Sequence, residues 1–288
     1  MPTFTPELDA PLTAARRAAE AGFEAVFSVD HLFPPGFPDR PGVEPFSLLS
    51  AVAVRNPGLG VGVLVTRAGF RPPGLLAKQA SALEHLSDGR AILGIGMGDH
   101  LVRAEHEALG LPFPAATERA ARLEETARAM RSLFAGRPWS GGDQVPPLEG
   151  PLLPPGGPDV WLGGTSSAVV EAAARSADGW NGWGLDADGF AERTATLGRL
   201  AVDAGRDPAH VVATWGGIVL VGEDQRDLEL LVEERGARGP AWTPWTGTVD
   251  DLRRFVRRLA DAGCAWFICT AAGPDDRLEL IGRTLREA

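Results

Sequence analysis

Hydrophobic positions along the chain alternate between two patterns. Short runs rich in Val, Ile, Phe and Gly, such as "EAVFSV", "LGVGVLV" and "AILGIG", are typical of buried strands. The longer segments between them, such as "RPPGLLAKQASALEHLSDGR", repeat apolar side chains close to a 3.6-residue period, which predicts helices. The alternation continues to the C-terminus and therefore indicates an α/β fold.

Counting the strands predicts the architecture. In chain order they are "PTFT", "EAVFSV", "LGVGVLV", "AILGIG", "DVWLGG", "DGWNGW", "HVVATWGGIVLVG" and "CAWFICT". Eight strands alternating with helices in 288 residues predict a (β/α)8 TIM barrel, one domain over 1–288, with inserted helices and loops after strands 4 and 7. A doubly wound open sheet is the alternative. In a barrel, the residues at the carboxyl ends of the strands are the first candidates for chemistry.

Composition and net charge indicate what kinds of partner and cellular location to expect. A hydrophobic share of 44% and a charged share of 23% are typical of a soluble globular protein. No apolar run reaches the roughly 20 residues that a membrane span needs. The N-terminus lacks the basic segment and continuous apolar core of a secretory signal, so we expect a cytoplasmic protein. A net charge of −10 argues against nucleic-acid binding.

An acidic residue and a histidine follow the second predicted strand. In "FSVDHLFPP", Asp30 and His31 stand between an apolar run and prolines, which cannot continue a strand because they lack a backbone N–H. The pair is therefore expected at a strand's carboxyl end. Taken alone it favours a structural role, because most histidines have no catalytic task.

A run of glycines follows the fourth predicted strand. "LGIGMGDH" places glycines at 94, 96 and 98, where a flat ring or a phosphate can approach the backbone closely. It departs from the dinucleotide-binding pattern G-x-G-x-x-G, because position 99 is Asp. Tight packing of the backbone explains the glycines equally well.

A second glycine pair precedes a predicted helix. "WLGGTSSAVVEAA" places Gly163 and Gly164 after a strand and Thr165, Ser166 and Ser167 at a helix start. Free N–H groups, the helix dipole and hydroxyl groups converge there, as in a phosphate site. Simple N-capping by a hydroxyl group is an equal alternative.

Other reaction classes find less support. His100 and His106 lie six residues apart, which is not a one-face helical spacing, so a metal site with Glu105 or Glu107 is not expected. The chain contains no G-x-S-x-G nucleophile motif. Hydrolytic chemistry is therefore disfavoured.

Several motifs in order carry a family resemblance. "AEAGFEAVFSVDHL", "GLGVGVLVTRAGFRPPGLLAKQASALEHLSDGRAILGIGMG", "EHEALG" and "DVWLGGTSSAVVEAAARSADGWNGWG" together resemble the bacterial luciferase-like family, from about residue 14 to residue 270. This family contains flavin-dependent monooxygenases and oxidoreductases that depend on coenzyme F420. The resemblance implies a barrel that binds its deazaflavin or flavin at the carboxyl-end mouth, with the tail phosphate at the "GGTSS" loop.

The resemblance also implies residue roles. His31 matches the histidine that handles the substrate proton, and Asp30 the acid that contacts the polar edge of the ring. Asp99 matches a catalytic carboxylate, where F420-dependent sugar-phosphate dehydrogenases carry Glu. A non-proline cis peptide against the ring is predicted at the Val63-Leu64 bond. The residues matched to cofactor contacts are Asp30, Val63, Leu64, Thr66, Met97, Gly98, Gly163, Gly164, Ser166 and Ser167.

Two departures from the family refine the expectation. Residues 176–192 contain no Lys or Arg, so the phosphate anchor of the sugar-phosphate dehydrogenases has no counterpart there and a sugar phosphate is not expected as substrate. The first strand is abbreviated, so an irregular seam is expected if "PTFT" does not pair.

The expected function is hydride transfer between coenzyme F420 and a small organic substrate, by a homodimer that binds neither membrane nor nucleic acid. One alternative is an FMN-dependent luciferase-like monooxygenase that uses reduced flavin and oxygen. A second alternative is a non-catalytic flavin-binding barrel.

Overall fold

The computed structural model describes residues 1–7, 9–150, 152–236, 243–274 and 276–287. The strands are β1 (Ala25–Ser28), β2 (Gly60–Arg67), β3 (Ala91–Gly96), β4 (Asp159–Gly163), β5 (Gly179–Trp183), β6 (Val212–Gly222), β7 (Trp245–Thr248) and β8 (Cys264–Ala271). The helices are α1 (Asp9–Glu20), α2 (Pro45–Arg55), α3 (Pro73–Leu86), α4 (Arg103–Ala108), α5 (Ala116–Phe134), α6 (Ser167–Ser176), α7 (Ala187–Asp203), α8 (Gln225–Gly236), α9 (Val249–Asp261) and α10 (Arg277–Arg286). Short 3-10 turns span His100–Val102 and Pro208–His210.

The strands form one parallel sheet. Strands β1 to β7 pair in sequence order, and β8 joins β6. The long strand β6 pairs with β5 and β8 along its first part and with β7 at its end. Parallel strands alternating with helices are what the predicted barrel requires. None of the helices in the described ranges combines the length and apolar character needed to cross a bilayer.

Two strand predictions were wrong. Residues 2–5 form no strand; the Thr3 carbonyl instead accepts a hydrogen bond from the Val43 N–H at 2.9 Å. The described residues contain no ladder between β8 and β1, so the seam is irregular, as expected for an unpaired first segment. Strand β7 lies where a loop was predicted, because its sequence "WTGT" is too short and polar to show a period. The inserted helix α4 follows β3, the predicted strand 4, as expected. After β6, the predicted strand 7, β7 separates α8 from α9, so neither of these helices is an insertion.

An aromatic cluster fills the barrel interior. Phe27 from β1, Trp161 from β4 and Trp266 from β8 lie 5.9 to 6.5 Å apart between ring centroids. Leu64 and Ile92 complete the cluster. Side chains from opposite sides of the sheet meet only inside a barrel, so this cluster joins β1 to β8 across the seam.

Candidate active site at the barrel mouth

The ends of neighbouring strands bring most of the predicted site residues to one edge of the sheet. Asp30 and His31 follow β1, Thr66 lies near the end of β2, Gly98 follows β3 and Gly164 follows β4. Strands β1 to β4 are parallel neighbours, so their carboxyl ends lie together at the mouth.

A buried carboxylate from α4 organises the segment after β1. Glu105 is 0% exposed, and its Oε1 lies 2.8 Å from Nδ1 of His31. Its Oε2 accepts a hydrogen bond from the backbone N–H of Leu32 at 2.7 Å. Arg67, which is also buried, donates to both oxygens at 3.0 and 3.1 Å and to the Asp30 carbonyl at 2.9 Å. The charge of Glu105 is thus balanced by a two-pronged guanidinium contact.

The charge of Glu105 decides which nitrogen of His31 is left for a ligand. Burial alone raises the pKa of Glu105, but hydrogen bonds from His31 and Arg67 lower it to about 2. The carboxylate is ionised at neutral pH and can only accept hydrogen bonds, so Nδ1 of His31 carries the hydrogen of this contact. Nε2 therefore remains to accept a proton when the ring is neutral, or to donate one when it is charged.

Asp30 is held by a second arginine. Both terminal nitrogens of Arg71 contact the Asp30 carboxylate, which is 3% exposed. Arg71 also donates to Thr66 Oγ1 and to Glu44 Oε1, each at 3.2 Å. Arg71 therefore links the side chains of Asp30 and Thr66 in one hydrogen-bonded network.

A pocket of about 230 Å³ lies beside these groups. Its polar lining comes from Asp30, His31, Glu44 and Arg71, and its apolar lining includes Leu32, Pro45, Phe70 and Leu109. The guanidinium of Arg71 is shared between the two carboxylates. Because no cation is left over in this lining, a neutral organic molecule fits the pocket better than an anion does.

Strand β2 is bulged at the mouth. Its register against β3 shifts between Val63 and Thr66, so that Leu64 and Val65 together oppose the single residue Gly94. The non-proline cis peptide joins Leu64 to Val65. The predicted Val63-Leu64 position was wrong by one residue, because the bulge begins after Val63. Val63 is fully buried, and Leu64 packs in the interior cluster.

Glycines on β3 and β4 make room for Val65. A Cβ on Gly96 would lie 2.7 Å from Val65 Cγ2, and a Cβ on Gly163 would lie 2.6 Å from Val65 Cγ1. A Cβ on Gly94 would meet the Val63 carbonyl oxygen at 2.6 Å. Gly94 and Gly96 thus provide tight packing around the bulge, which was one of the two interpretations of "LGIGMGDH", and Gly163 does the same from β4.

The loop between β4 and α6 gathers hydrogen-bond donors. Ser166 is the N-cap of α6. Gly164 has a φ of +141°, and its carbonyl accepts a hydrogen bond from Trp180 Nε1 at 2.8 Å, which anchors the loop on β5. The exposed hydroxyl of Ser167 accepts from Arg193 Nη1 at 3.5 Å. Since the first N–H groups of a helix have no partner within it, this donor set fits the phosphate of a flavin or deazaflavin tail.

Asp99 lies apart from the His31 network. Its carboxylate accepts a hydrogen bond from the Leu101 N–H at 2.8 Å and caps the 3-10 turn. Asp99 is exposed and does not line the pocket beside His31, so its catalytic role stays a prediction. Gly98 has a φ of +72°, and Met97 is partly buried against the core. Within the described part of the chain, no three His, Cys, Asp or Glu side chains are placed to hold a metal ion.

Sequence reasoning did not single out four charged residues of the site. Arg67 directly follows Thr66 at the end of β2, and Arg71 lies four residues further on, in the segment after a strand end that the barrel rule already marks as a candidate position. Glu105 stands in the motif "EHEALG", but its partner His31 is 74 residues away. Arg193 comes just after the interval 176–192, which holds no basic residue.

Solved structures share this fold. An F420-dependent secondary alcohol dehydrogenase in complex with an F420-acetone adduct superposes with a TM-score of 0.83 at 17% identity, covering 98% of this chain and 95% of that chain. The EDTA monooxygenase from Chelativorans sp. BNC1 gives a TM-score of 0.83 at 18% identity, covering 97% and 86%. These likenesses confirm the predicted (β/α)8 barrel.

Relatives in sequence are more informative about family. A phthiodiolone/phenolphthiodiolone dimycocerosates ketoreductase from Mycobacterium kansasii is 31% identical over 219 residues, which cover 69% of this chain and 57% of the ketoreductase. The chain thus spans little more than half the length of that relative. An F420-dependent glucose-6-phosphate dehydrogenase from Intrasporangium calvum is 29% identical over 90% of this chain and 87% of its own length. The model of the luciferase-like monooxygenase family matches residues 2–263, which confirms the resemblance: the chain belongs to this family.

Proposed function

We propose that this chain is a coenzyme F420-dependent oxidoreductase that interconverts a small neutral carbonyl compound and its alcohol. The observation that carries the proposal is the contact between His31 and the ionised Glu105, which leaves Nε2 of His31 available at the pocket. An F420-dependent relative that aligns with 90% of this chain favours F420 as the cofactor. A ketoreductase among the relatives supports a carbonyl substrate.

In this proposal one group of residues transfers the proton and another binds the cofactor. When bound, the deazaflavin supplies or accepts the hydride. His31 Nε2 gives a proton to the carbonyl oxygen during reduction and takes one from the hydroxyl group during oxidation. Glu105 and Arg67 hold the imidazole in one orientation. Ser166, Ser167 and the first N–H groups of α6 bind the tail phosphate.

The pocket lining supports a neutral substrate rather than a sugar phosphate. Arg71 lies in the pocket but already contacts the carboxylates of Asp30 and Glu44. A phosphate placed there would compete with both carboxylates for Arg71, and displacing Asp30 would leave that buried carboxylate without its cation, which is costly. A ketone needs only a proton donor for its oxygen and apolar surface for its substituents.

Binding and turnover measurements on the purified chain test the proposal. F420 and FMN are titrated separately, and oxidation of reduced F420 is followed with acetone and cyclohexanone as substrates. His31→Gln should keep its F420 affinity and lose about 100-fold or more in turnover. His210→Gln alters an exposed histidine in a 3-10 turn and should behave as the parent does.

Two results would contradict the proposal. Tight FMN binding without measurable F420 binding would favour the reduced-FMN monooxygenase instead. Undiminished ketone turnover by His31→Gln would remove His31 from proton transfer while leaving the cofactor assignment intact.

A further inference from the structure

A second cleft, of about 410 Å³, lies at the opposite end of the barrel. It is lined by the C-terminal parts of α5 and α6, by residues 137–140 and by Arg206 after α7. Helices that connect parallel strands run back along the sheet, so their C-terminal ends lie at the amino ends of the strands. Asp178, which directly precedes β5, pairs with Arg131 in this cleft at 3.1 Å. The cleft is therefore separate from the pocket beside His31.

Arginines dominate the lining. They are Arg128, Arg131, Arg137, Arg175 and Arg206. Arg131 pairs with Asp178, and Arg175 pairs with Glu124 at 2.8 Å and with Glu171 at 3.7 Å. No carboxylate of the described residues lies within ion-pair distance of the other three arginines. A cluster of unpaired guanidinium groups is unusual for a chain of net charge −10.

The walls of the cleft are held in place. Arg206 donates to the carbonyls of Ala173, Ala174 and Ala177 at 2.6 to 3.2 Å and so caps the end of α6. On the facing wall, Trp139 forms an antiparallel bridge with Leu148, and its Nε1 donates to a backbone carbonyl at 3.2 Å. The cleft is therefore formed before any ligand binds, which lowers the entropic cost of binding.

Arg128 and Arg137 are the groups left for a ligand. The Arg128 guanidinium lies 5.7 Å from the centroid of the Trp139 ring, which orients it without neutralising it. Arg137 follows α5 on the same wall as Trp139. The forked N–H donors of a guanidinium group match the oxygens of a phosphate, and the Trp139 ring offers an apolar surface for the organic group of a phosphate ester.

We propose that this cleft is a binding site for a phosphate group, either free or carried by a small organic ester. The site involves none of the residues assigned to hydride or proton transfer. It therefore stands whether or not the proposed oxidoreductase activity is correct.

Calorimetric titration of the full chain with inorganic phosphate and with phenyl phosphate tests the proposal, against sodium chloride at matched ionic strength. Tighter binding of phenyl phosphate than of phosphate would identify an ester as the ligand, and equal binding would identify free phosphate. The variant Arg128→Ser/Arg137→Ser should bind at least tenfold more weakly. The control Arg55→Ser/Arg226→Ser removes two exposed arginines from other helices and should bind as the parent does.

A variant that keeps both positive charges separates loss of phosphate binding from loss of folding. Arg128→Lys/Arg137→Lys keeps both charges but loses the two-pronged geometry, so its affinity should fall between those of the parent and the serine variant. Absence of saturable binding above the chloride control would overturn the proposal. Equal weakening in the cleft variant and the control variant would also overturn it, because that result indicates a general charge effect.

Discussion

Nδ1 of His31 and Oε1 of Glu105 lie 2.8 Å apart, although 74 residues separate them in the chain. The carboxylate is fully buried and is bonded on its other side to Arg67 and to the backbone of Leu32. One helix inserted after β3 thereby fixes the segment that follows β1. The orientation of the proposed proton carrier depends on this contact.

Glu105→Gln should allow the neutral His31 ring to carry its hydrogen on either nitrogen. A carboxamide is similar in shape but can donate as well as accept, so Nδ1 is no longer required to carry the hydrogen. We expect a mixed tautomer population in ¹⁵N NMR spectra of the histidine ring and about tenfold slower ketone turnover. Glu107→Gln, an exposed neighbour on α4, is the matched control. An unchanged tautomer population would show that the Glu105 charge does not set the orientation.

Acid should weaken the fold through the same residue. The pKa of Glu105 is about 2 in the folded chain, below its ordinary value of 4.5, so its ionised form stabilises the fold above about pH 4.5. This contribution, about 3 kcal/mol at neutral pH, is lost as the pH falls towards 2. Urea unfolding from about pH 3 to about pH 7 should show a steeper acid loss for the parent than for Glu105→Gln. Parallel pH profiles would contradict the assignment.

Shortening Val65 should restore the stability lost in one glycine variant of the bulge but not in another. Gly96→Ala should destabilise the fold by about 1–3 kcal/mol, because its Cβ would lie 2.7 Å from Val65 Cγ2. Val65→Ala removes that methyl group and should recover much of the loss in a double-mutant cycle. Gly94→Ala should not be rescued, since its Cβ meets the backbone oxygen of Val63. Equal rescue of both glycine variants, measured by urea unfolding, would refute this packing arrangement.

Arg193 should contribute to cofactor affinity. Its guanidinium contacts the hydroxyl of Ser167 at the start of α6, where the tail phosphate is proposed to bind. Arg193→Ala should weaken F420 binding about tenfold, the usual effect of losing a hydrogen bond to a charged group. Arg199→Ala changes an exposed arginine of α7 that contacts Thr196 of the same helix, and it should leave binding unchanged. Equal affinities for the two variants would remove Arg193 from the phosphate site.

Local pattern was sufficient for most of the fold. The runs "LGVGVLV" and "AILGIG" form β2 and β3, whose side chains are almost all buried, and strands buried on both faces read as continuous apolar runs. The run "EAVFSV" forms β1, in which partly buried and buried residues alternate. "PTFT" and "WTGT" were misjudged because segments this short carry no period. Their state depends on which neighbours the rest of the chain brings to them.

The sequence by itself determined the alternation of strands and helices, the strand ends that carry Asp30, His31 and Thr66, and the ordered motifs of the luciferase-like family. Only the tertiary structure decided that Glu105 and Arg67 hold His31, that Arg71 holds Asp30, and that Val65 occupies the space opened by the glycines. The physical reason is that burial and period are properties of neighbouring residues. A hydrogen bond or a close contact between distant residues depends instead on the path of the whole chain.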